Sequence, residues 1–488
     1  MACVGAARLD GDESSVIDRA EILRLANEVG LEARIVEKDY ILGWVLAGIY
    51  RDLFLAGTWV FKGGTCLKKC FFETYRFSED LDFTVTDAAQ LDAGFLEERF
   101  AELGDWLYET AGIELPADQR RFDIYNNKRG GRCGEGRISY RGPIAPRGGD
   151  LPRIKLDLTA DEILILPTVM RPVAHAYSDA PAEGITARCY AFEEVFGEKI
   201  RALGERSRPR DLYDVVNLFR NGEFRAAAVV IRDVVRQKCA FKNTGFPRLE
   251  ALAVFRDELV AEWENMLGHQ LPALPPVESF WDALPEFFGW LAGTRVPVAV
   301  SPYPLAAGDQ VLRMPAGAFR LPGRSTPFIE VIRFAAANRL CVDLDYVSEE
   351  GGRGTRTIEP YSLRRTQDGN VLLHALRSQN RQHRSYRVDQ ILEARITQQT
   401  FIPSYTVELT PEGPLRVVPT ASHAGVGQSR SRQTRQSRVS GGPVYVFRCP
   451  VCNRRFERKK YNATLRPHKD RSGGNCYCRY GHYEQTKD

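Results

Sequence analysis

The apolar and polar positions between residues 61 and 85 predict a turn, a short helix and a strand in close succession. The segment has the sequence FKGGTCLKKCFFETYRFSEDLDFTV, and its last third alternates between polar and apolar residues. Residues two apart point to the same face of a strand, so we expect Leu81 and Phe83 to face a core. The opposite face would carry three polar side chains: Ser78, Asp80 and Asp82.

The same patterns divide the rest of the chain into two regions of different character. Apolar residues at helical spacing predict a mainly helical first region. Helices are expected at 16–30, 31–56, 88–112 and 192–206 and across 224–293, with strands at 58–61 and 153–158. A Pro- and Gly-rich stretch at 295–323 marks a boundary, and the short alternating segments beyond it predict a small, strongly bent sheet or barrel. Its strands are expected at 340–347, 355–365, 371–376 and 385–391.

Paired carboxylates beside a glycine turn indicate a site for a metal ion and a phosphate chain. Asp80 and Asp82 would repel each other unless a cation lies between them, and Mg²⁺ prefers carboxylate and phosphate oxygens. The turn upstream offers backbone N–H groups and a helix N-terminus, which suit a triphosphate. It comprises Lys62, Gly63, Gly64 and Thr65. Together these features favour metal-assisted nucleotidyl transfer, although a D-x-D pair alone also occurs on ordinary surface strands.

A third carboxylate is expected on the strand at 153–158. Its sequence RIKLDL places Lys155 and Asp157 on one face and apolar residues on the other. Asp157 could help bind the metal and activate an attacking hydroxyl group. The residues alone leave open the alternative that Asp157 is a surface side chain paired with Lys155.

Charged residues are dense at 193–219, where two predicted helices meet at a proline. Lys199 could neutralise triphosphate charge as a point cation, and Arg210 could clamp phosphate oxygens with its planar fork. Asp211 and Asp214 lie one helical turn apart and could hold the neighbouring arginines in place. A salt-bridged pair of helices without chemistry would give the same pattern.

These motifs resemble those of the AbiEii/AbiGii toxin family, nucleotidyltransferases of the polymerase-β-like superfamily. The resemblance covers roughly residues 30–220. It rests on E-K-D-Y at 37–40, K-G-G-T-x-L…R-F-S-E-D-L-D-F between 62 and 83, the I-K-x-D strand, and E-K-x-x-A-L-x-x-R…R-D-x-x-D between 198 and 214. It implies an α+β fold with a polymerase-β-like nucleotidyltransferase core and a helical C-terminal half.

The resemblance also implies residue roles. Asp80 and Asp82 would hold Mg²⁺, with Asp157 assisting. Lys199 and Arg210 would neutralise the triphosphate, and Asp211 would orient them or act at the acceptor. Further contacts to the nucleotide are expected from Lys62, Gly63, Gly64, Thr65 and Ser78.

By the same resemblance, the nucleotide passes from an NTP to an RNA acceptor, notably a tRNA 3′ end. Such enzymes are growth-arresting toxins of type IV toxin–antitoxin and phage-defence systems, so a cognate antitoxin is the implied partner. Modification of a protein side chain would use the same residues. A non-catalytic NTP-binding sensor of nucleic acid is the rival hypothesis, and the base of the NTP is open.

The β-rich region resembles a WYL domain in the order of three motifs: E-P-x-x-L, D-G-x-V-L-L-x-A and R-S-Y-R-V-D-Q-I. The namesake triplet aligns with Val371-Leu372-Leu373, so two of its three residues differ, which bears on ligand binding more than on fold. WYL domains are regulatory and bind nucleic acids or nucleotides through basic side chains. The matching residues here are Arg364, Arg365, Arg377, Arg384 and Arg387. A purely structural β-domain is the alternative.

The C-terminal segment is strongly basic and carries paired cysteines. Residues 425–488 hold 15 Lys and Arg against 4 Asp and Glu, whereas the whole chain has a net charge of +4, so the tail is expected to contact nucleic acid. Four thiolates in two close pairs match a structural Zn²⁺ site in a zinc ribbon. The bound ion would stabilise a module whose own hydrophobic core is too small for it to fold alone. The ligands are expected to be Cys449, Cys452, Cys476 and Cys478, with His468 or His482 able to replace one of them.

Composition sets the remaining bounds. A hydrophobic content of 43% and a charged content of 27% fit an ordinary globular protein, and no apolar run is long enough to cross a membrane. The N-terminus lacks a secretory pattern, so we expect a cytoplasmic location and reduced cysteines. The expected modules are a nucleotidyltransferase domain at 1–297, a WYL-like domain at 298–424, a basic linker at 425–443 and a zinc ribbon at 444–488.

Overall fold

The protein, in a computed structural model, comprises two compact units, residues 1–420 and 421–488. In the first unit the structure describes residues 17–29, 31–71, 76–144, 150–175, 177–221, 228–294, 301, 303–312, 328–348 and 351–409. In the second it describes residues 444–449, 451–453, 455–458, 468–469, 475–476 and 482–487. The basic linker predicted at 425–443 and the predicted zinc ligand Cys478 lie outside the described residues.

A seven-stranded mixed sheet is the centre of the nucleotidyltransferase region. Its strands are β1 (Trp59–Lys62), β2 (Asp80–Val85), β3 (Arg120–Asn126), β4 (Arg132–Ser139), β5 (Arg153–Thr159), β6 (Val169–Val173) and β7 (Ile185–Cys189). Their spatial order is β3-β4-β5-β2-β1-β7-β6. Strand β2 runs parallel to β5, and β1 runs parallel to β7, whereas the other neighbours are antiparallel.

Helices accompany this sheet. They are α1 (Arg19–Val29), α2 (Ala33–Arg51), α3 (Leu53–Thr58), α4 (Gly63–Cys66), α5 (Ala93–Ala111), α6 (Phe192–Arg206), α7 (Pro209–Arg220), α8 (Ala228–Lys242), α9 (Leu249–Ala253), α10 (Arg256–Leu267), α11 (Glu278–Trp281) and α12 (Leu284–Ala292). The helix predicted at 192–206 is confirmed. The one predicted at 31–56 is divided, because the Asp52 carboxylate accepts hydrogen bonds from the N–H groups of Phe54 and Leu55 and so begins a new helix.

The motif strand is shorter than its alternation predicted. Leu81 and Phe83 are fully buried, as expected, but β2 begins at Asp80 and leaves Ser78 outside the strand. The reason lies just upstream, where the Phe77 N–H donates to the carbonyl of Gln270 at 3.2 Å rather than to a neighbouring strand. The placement of Ser78 on the strand was therefore wrong.

A second, antiparallel sheet follows in the same compact unit. Its strands are β8 (Gln310–Val311), β9 (Leu340–Val347), β10 (Arg353–Arg365), β11 (Val371–Arg377), β12 (His383–Arg387) and β13 (Ile391–Thr400). They have the order β12-β11-β10-β9-β13, with β8 beside β10, and helix α13 (Phe328–Asn338) precedes β9. The strand predicted at 385–391 ends at Arg387 in a 3₁₀ turn, and the α+β class is confirmed.

The second unit is a small β module. Its described strands are β14 (Val444–Arg448), β15 (Arg455–Arg458), β16 (His468–Lys469), β17 (Asn475–Cys476) and β18 (His482–Lys487). Strands β15, β14 and β18 form one sheet, and β16 pairs with β17. Among the helices that the structure describes, none has both the length and the apolar character to cross a membrane.

A buried charge cluster joins the first sheet to α6 and α8. The Lys238 ammonium lies 2.9 Å from Glu194 and 3.4 Å from Glu162, and the side chains of Lys238 and Glu194 have no exposed surface. Lys62, at the end of β1, joins the cluster through Glu198 at 3.1 Å. An ion buried this deeply depends on its partners, since removal of one leaves the other charge uncompensated.

Replacing Lys238 with Met should therefore lower the free energy of unfolding by about 3–5 kcal/mol, because Glu194 would stay buried without its cation. Urea denaturation of the purified chain measures this change. Arg236→Met is the matched control, since Arg236 lies on the same helix with its side chain 65% exposed. If the two variants were equally stable, Lys238 would not be the cation that compensates the buried charge of Glu194.

Candidate active site

The predicted acids lie in a row across the face of the first sheet. Asp82 on β2 is in register with Lys62 on β1 and with Asp157 on β5, and Asp157 is in register with Glu135 on β4. Side chains opposite each other on neighbouring strands share a face. Asp157 thus lies beside Asp82, as predicted, and it also pairs with Lys155 at 2.9 Å, as the alternative interpretation required.

Asp80 begins a second row on the same face, and basic residues continue it. It is in register with Lys155, which is in register with Arg137 on β4. Next in the row comes Arg121 on β3, whose side chain is 69% exposed. The second row therefore runs from an acid beside the candidate metal site to exposed arginines at the edge of the sheet.

The two central acids, Asp80 and Asp82, have raised pKa values, unlike acids that form ordinary ion pairs. Burial raises the pKa of Asp82 to about 6, against the opposing charge of Lys62. Burial also raises the pKa of Asp80, against the charge of Lys38. Within the described part of the chain, neither carboxylate forms an ion pair. Two neighbouring buried carboxylates of this kind form a donor set that fits a divalent cation.

The glycine turn packs directly on these acids. Gly63 has a φ of +79°, and a Cβ atom there would collide with the Asp82 carboxylate. A Cβ atom at Gly64 would lie 2.9 Å from the Arg76 guanidinium and 3.0 Å from the Ser78 hydroxyl. Both glycines are therefore required by a close approach of backbone to side chain. Ser78 still adjoins the turn, although it lies outside the strand.

Two residues of the turn have structural partners. The Thr65 hydroxyl is buried and donates to the Asp80 carbonyl at 2.6 Å, which fixes the start of β2. The Lys62 ammonium lies 3.1 Å from Glu198 and 3.7 Å from Glu162. The structure therefore commits both polar groups to the protein rather than leaving them open towards a phosphate chain.

The charged pair of helices forms a buried ion cluster. Asp214 accepts two hydrogen bonds of 2.9 Å from the Arg76 guanidinium, and the Lys199 ammonium lies 2.8 Å from the same carboxylate. Asp211 accepts bonds of 2.7 and 2.9 Å from Arg206. The expectation that these acids hold the neighbouring arginines is confirmed for Asp211, whereas Asp214 instead binds Arg76 from the segment before β2.

Arg210 lies apart from these pairs. Its Nε donates to the Met266 carbonyl at 3.4 Å, and burial, with the charge of Arg76, lowers its pKa. Asp80 and Glu79 act on it with the opposite charge. Arg210 thus borders the acid pair without being bound to it.

The list of candidate residues from the sequence omitted two charged neighbours of the site. Lys38 donates to Glu79 at 2.8 Å and acts on the pKa of Asp80, and Arg76 anchors Asp214. Both belong to motifs quoted above, E-K-D-Y and R-F-S-E-D-L-D-F, so their positions carried a signal. Their partners are 41 and 138 residues away, which spacing within a motif cannot reveal.

The second unit holds a separate cysteine cluster. The Sγ atoms of Cys449, Cys452 and Cys476 lie within 4.8 Å of one another, and those of Cys449 and Cys476 are 3.7 Å apart. Cys449 and Cys476 are buried. His468 lies opposite Cys476 across the β16–β17 pair. The described residues therefore provide three thiols that lie close enough together to bind one metal ion.

Replacing Asp214 with Asn should cost about 3–5 kcal/mol at pH 7, since Arg76 would lose its buried partner. Burial opposes ionisation of Asp214, but Arg76 and Lys199 hold its pKa well below the usual range. A carboxylate whose pKa is lowered in the folded state stabilises the protein above its unfolded pKa of about 3.9. This stabilisation is lost as the pH falls and the carboxylate becomes protonated. The difference in unfolding free energy between wild type and variant should thus shrink below about pH 4. Asp233→Asn, at an exposed pair, is the control, and a pH-independent difference would contradict the prediction.

Comparison with known proteins agrees with this geometry. The family model described as nucleotidyl transferase AbiEii toxin, type IV TA system, matches residues 44–286, and the WYL domain model matches residues 327–396. MenT4, a nucleotidyltransferase toxin from Mycobacterium tuberculosis H37Rv, is 20% identical, with 57% of this chain and 90% of that chain covered and a TM-score of 0.38. Proteasome accessory factor B/C of Arthrobacter aurescens is 13% identical, with 83% and 74% covered and a TM-score of 0.17.

A comparison with curated protein sequences finds no match. The two structural likenesses are distant, so the assignment rests on the family models and on the motifs they cover. Residues 44–286 belong to the AbiEii family of nucleotidyltransferase toxins, and residues 327–396 form a WYL domain.

Proposed function

We propose that this chain is an Mg²⁺-dependent toxin that transfers a nucleotide from an NTP to an RNA acceptor and releases pyrophosphate. One observation carries the proposal. Asp80 and Asp82 lie side by side on β2 beneath the Gly63-Gly64 turn, with raised pKa values and, among the described residues, no ion pair of their own.

The residues present fit a divalent metal. Asp80 and Asp82 would hold Mg²⁺ through carboxylate oxygens, and substrate phosphates would supply further ligands. When bound, Mg²⁺ neutralises phosphate charge and aligns the reacting oxygens. Asp157, in register with Asp82, is proposed to accept the proton of an attacking hydroxyl group.

The remaining candidate residues divide into two groups. Backbone N–H groups of the turn at Gly63 and Gly64, the Ser78 hydroxyl and the Arg210 guanidinium border the acids and are proposed to contact the triphosphate. Lys199 and Asp211 belong to the buried ion cluster. Lys199 can act on the triphosphate through its positive field, and Asp211 acts by holding the α6–α7 turn through Arg206.

The acceptor is assigned from surface charge. The row that begins at Asp80 continues through Lys155, Arg137 and Arg121 towards the edge of the sheet. Exposed guanidinium groups beside a transfer site suit the phosphate backbone of an RNA acceptor. We propose a tRNA 3′ end as this acceptor. A cognate antitoxin is proposed as the partner that controls this toxin.

The WYL domain is proposed to bind a phosphate-bearing regulator, either nucleic acid or nucleotide. Its five candidate arginines do not form one surface. Register places Arg364 and Arg387 on one face of the sheet, on either side of Leu372. The other face carries Arg365, Arg377 and Arg384. Because Arg364 is buried and already donates to the Tyr303 carbonyl, the ligand is proposed to meet Arg365 and Arg384, which are exposed on the other face.

Asp82→Asn should lower transfer at least about a hundredfold, because one of the two central carboxylates is lost. The purified chain is incubated with Mg²⁺, each α-³²P-labelled NTP in turn and total RNA. Label in a tRNA-sized band would name both the acceptor and the base. Asp105→Asn, at an exposed acid of α5 outside the proposed site, should retain activity.

Other results of this experiment have distinct meanings. Label in protein would replace the RNA acceptor with a protein side chain. Absence of label with every NTP, together with tight binding of the same RNA, would overturn transfer in favour of a nucleic-acid sensor.

The C-terminal module is proposed to be a zinc ribbon that contacts nucleic acid. Replacing Cys449 and Cys452 with Ala should remove about one equivalent of zinc and lower RNA affinity, because four thiolates hold one structural ion. Metal analysis and filter binding measure both effects. Cys341→Ala, at a buried cysteine of the WYL sheet, is the matched control. Unchanged zinc content in the double variant would contradict the ribbon.

A further inference from the structure

Three buried cysteines meet next to the glycine turn and the ends of β1 and β7. The Sγ atoms of Cys66, Cys70 and Cys189 all lie within 4.8 Å of one another. Cys66 ends α4, Cys70 lies in the next turn, and Cys189 ends β7. The sequence analysis predicted only that the cysteines are reduced, and nothing in their spacing linked Cys189 to the other two.

An unusual helix creates the convergence. Residues Leu67–Phe71 form a π-helix, a rare conformation that occurs frequently at functional sites. Its carbonyl groups are taken by the neighbouring strand segment. Arg171 donates to the Cys70 carbonyl at 3.2 Å, and the Ala174 N–H donates to the Lys69 carbonyl at 2.7 Å. The π-turn is thereby fixed with Cys66 and Cys70 on one side.

Cys189 is brought to the same point by strand pairing. Strand β7 runs parallel to β1, with Cys189 in register with Phe61, and the Tyr190 N–H donates to the Phe61 carbonyl at 3.1 Å. The nearby Tyr50 hydroxyl is engaged by main-chain carbonyls, at 2.7 Å from that of Arg188 and 3.3 Å from that of Trp59. Because this hydroxyl donates to carbonyl groups, it does not separate the three sulfur atoms, which face one another.

The cluster has the dimensions and chemistry of a metal site. A metal bound by thiolates at about 2.3 Å keeps its sulfurs about 3.8–4.0 Å apart, within the spread seen here. The three cysteine side chains are almost completely buried, so the site is closed. Thiolates select soft and borderline ions, chiefly Cu⁺ and Zn²⁺. The Arg171 guanidinium beside Cys70 offsets the negative charge that three thiolates would leave on such an ion.

We propose that Cys66, Cys70 and Cys189 bind a thiophilic d¹⁰ metal ion, Zn²⁺ or Cu⁺, at a second site separate from the C-terminal cysteines. Such an ion ties the end of β7 to the helix that follows Gly63, Gly64 and Thr65. Binding requires that each thiol release its proton and form one metal–sulfur bond, with no change in oxidation state. The site is structural, since Cys66, Cys70 and Cys189 are almost completely buried and the ion would be shielded from substrates.

The test uses the full chain with Cys449, Cys452, Cys476 and Cys478 replaced by Ala, here called the tail-silenced chain. It is dialysed in parallel against buffered Zn²⁺ and, without oxygen, against buffered Cu⁺, and bound metal is counted by mass spectrometry. We expect about one equivalent of one of the two ions. Adding Cys70→Ala should remove it, whereas adding Cys341→Ala should not, since Cys341 is equally buried but belongs to no cluster in the described residues.

A second measurement leaves the three cysteines intact, in case Cys70→Ala disturbs the core. Co²⁺ added to the tail-silenced chain should give a thiolate-to-cobalt charge-transfer band whose intensity corresponds to three thiolates. Retention of neither metal together with absence of the band would overturn the proposal and leave the cysteines as packing residues. Retention of metal after both Cys70→Ala and Cys189→Ala would overturn it as well.

Discussion

The ion cluster around Asp214 is the interaction on which the candidate site depends. Its carboxylate, almost completely buried, binds Arg76 from the segment before β2 and Lys199 from α6. One side chain on α7 therefore fixes both the start of the acid-bearing strand and the helix opposite it. Without that anchor Arg76 would lose its buried partner, and the glycine turn would lose its contact with Arg76.

The acids of this region differ in how their charges are compensated. Cations lower the pKa of Asp39, Asp214 and Glu198 against the effect of burial, that of Glu198 to about 2. Burial raises the pKa of Asp80 and Asp82, for which the described residues supply no ion pair. Burial also raises the pKa of Asp179, but among the described residues that carboxylate stands alone and accepts a hydrogen bond from Tyr40. Asp80 and Asp82, by contrast, lie side by side, and it is this pairing that supports the proposed metal site.

The sequence revealed whatever depends on local periodicity and little that depends on distant partners. Alternation placed Leu81 and Phe83 in the core and put Asp157 on a strand that the resemblance set beside Asp82, because strand faces follow from period two. It extended the strand to Ser78, since pattern alone cannot show that Phe77 bonds to Gln270. The convergence of Cys189 with Cys66 and Cys70 was equally invisible, because it follows from β7 pairing with β1 and from a π-turn that no residue pattern announces.

The WYL domain contacts the transferase at the helix that holds the ion cluster. Helix α13 packs against α7, and Asn338 at the end of α13 lies beside Tyr213. Tyr213 is flanked on α7 by Asp211 on one side and by Asp214 on the other. Most residues of α13 are buried, so a shift of the WYL sheet on binding a ligand must be absorbed at this interface. Helix α7 also carries Asp214, whose pair with Arg76 holds the segment before the acid pair, so under the proposed function a ligand of the WYL domain would act on transfer through this helix.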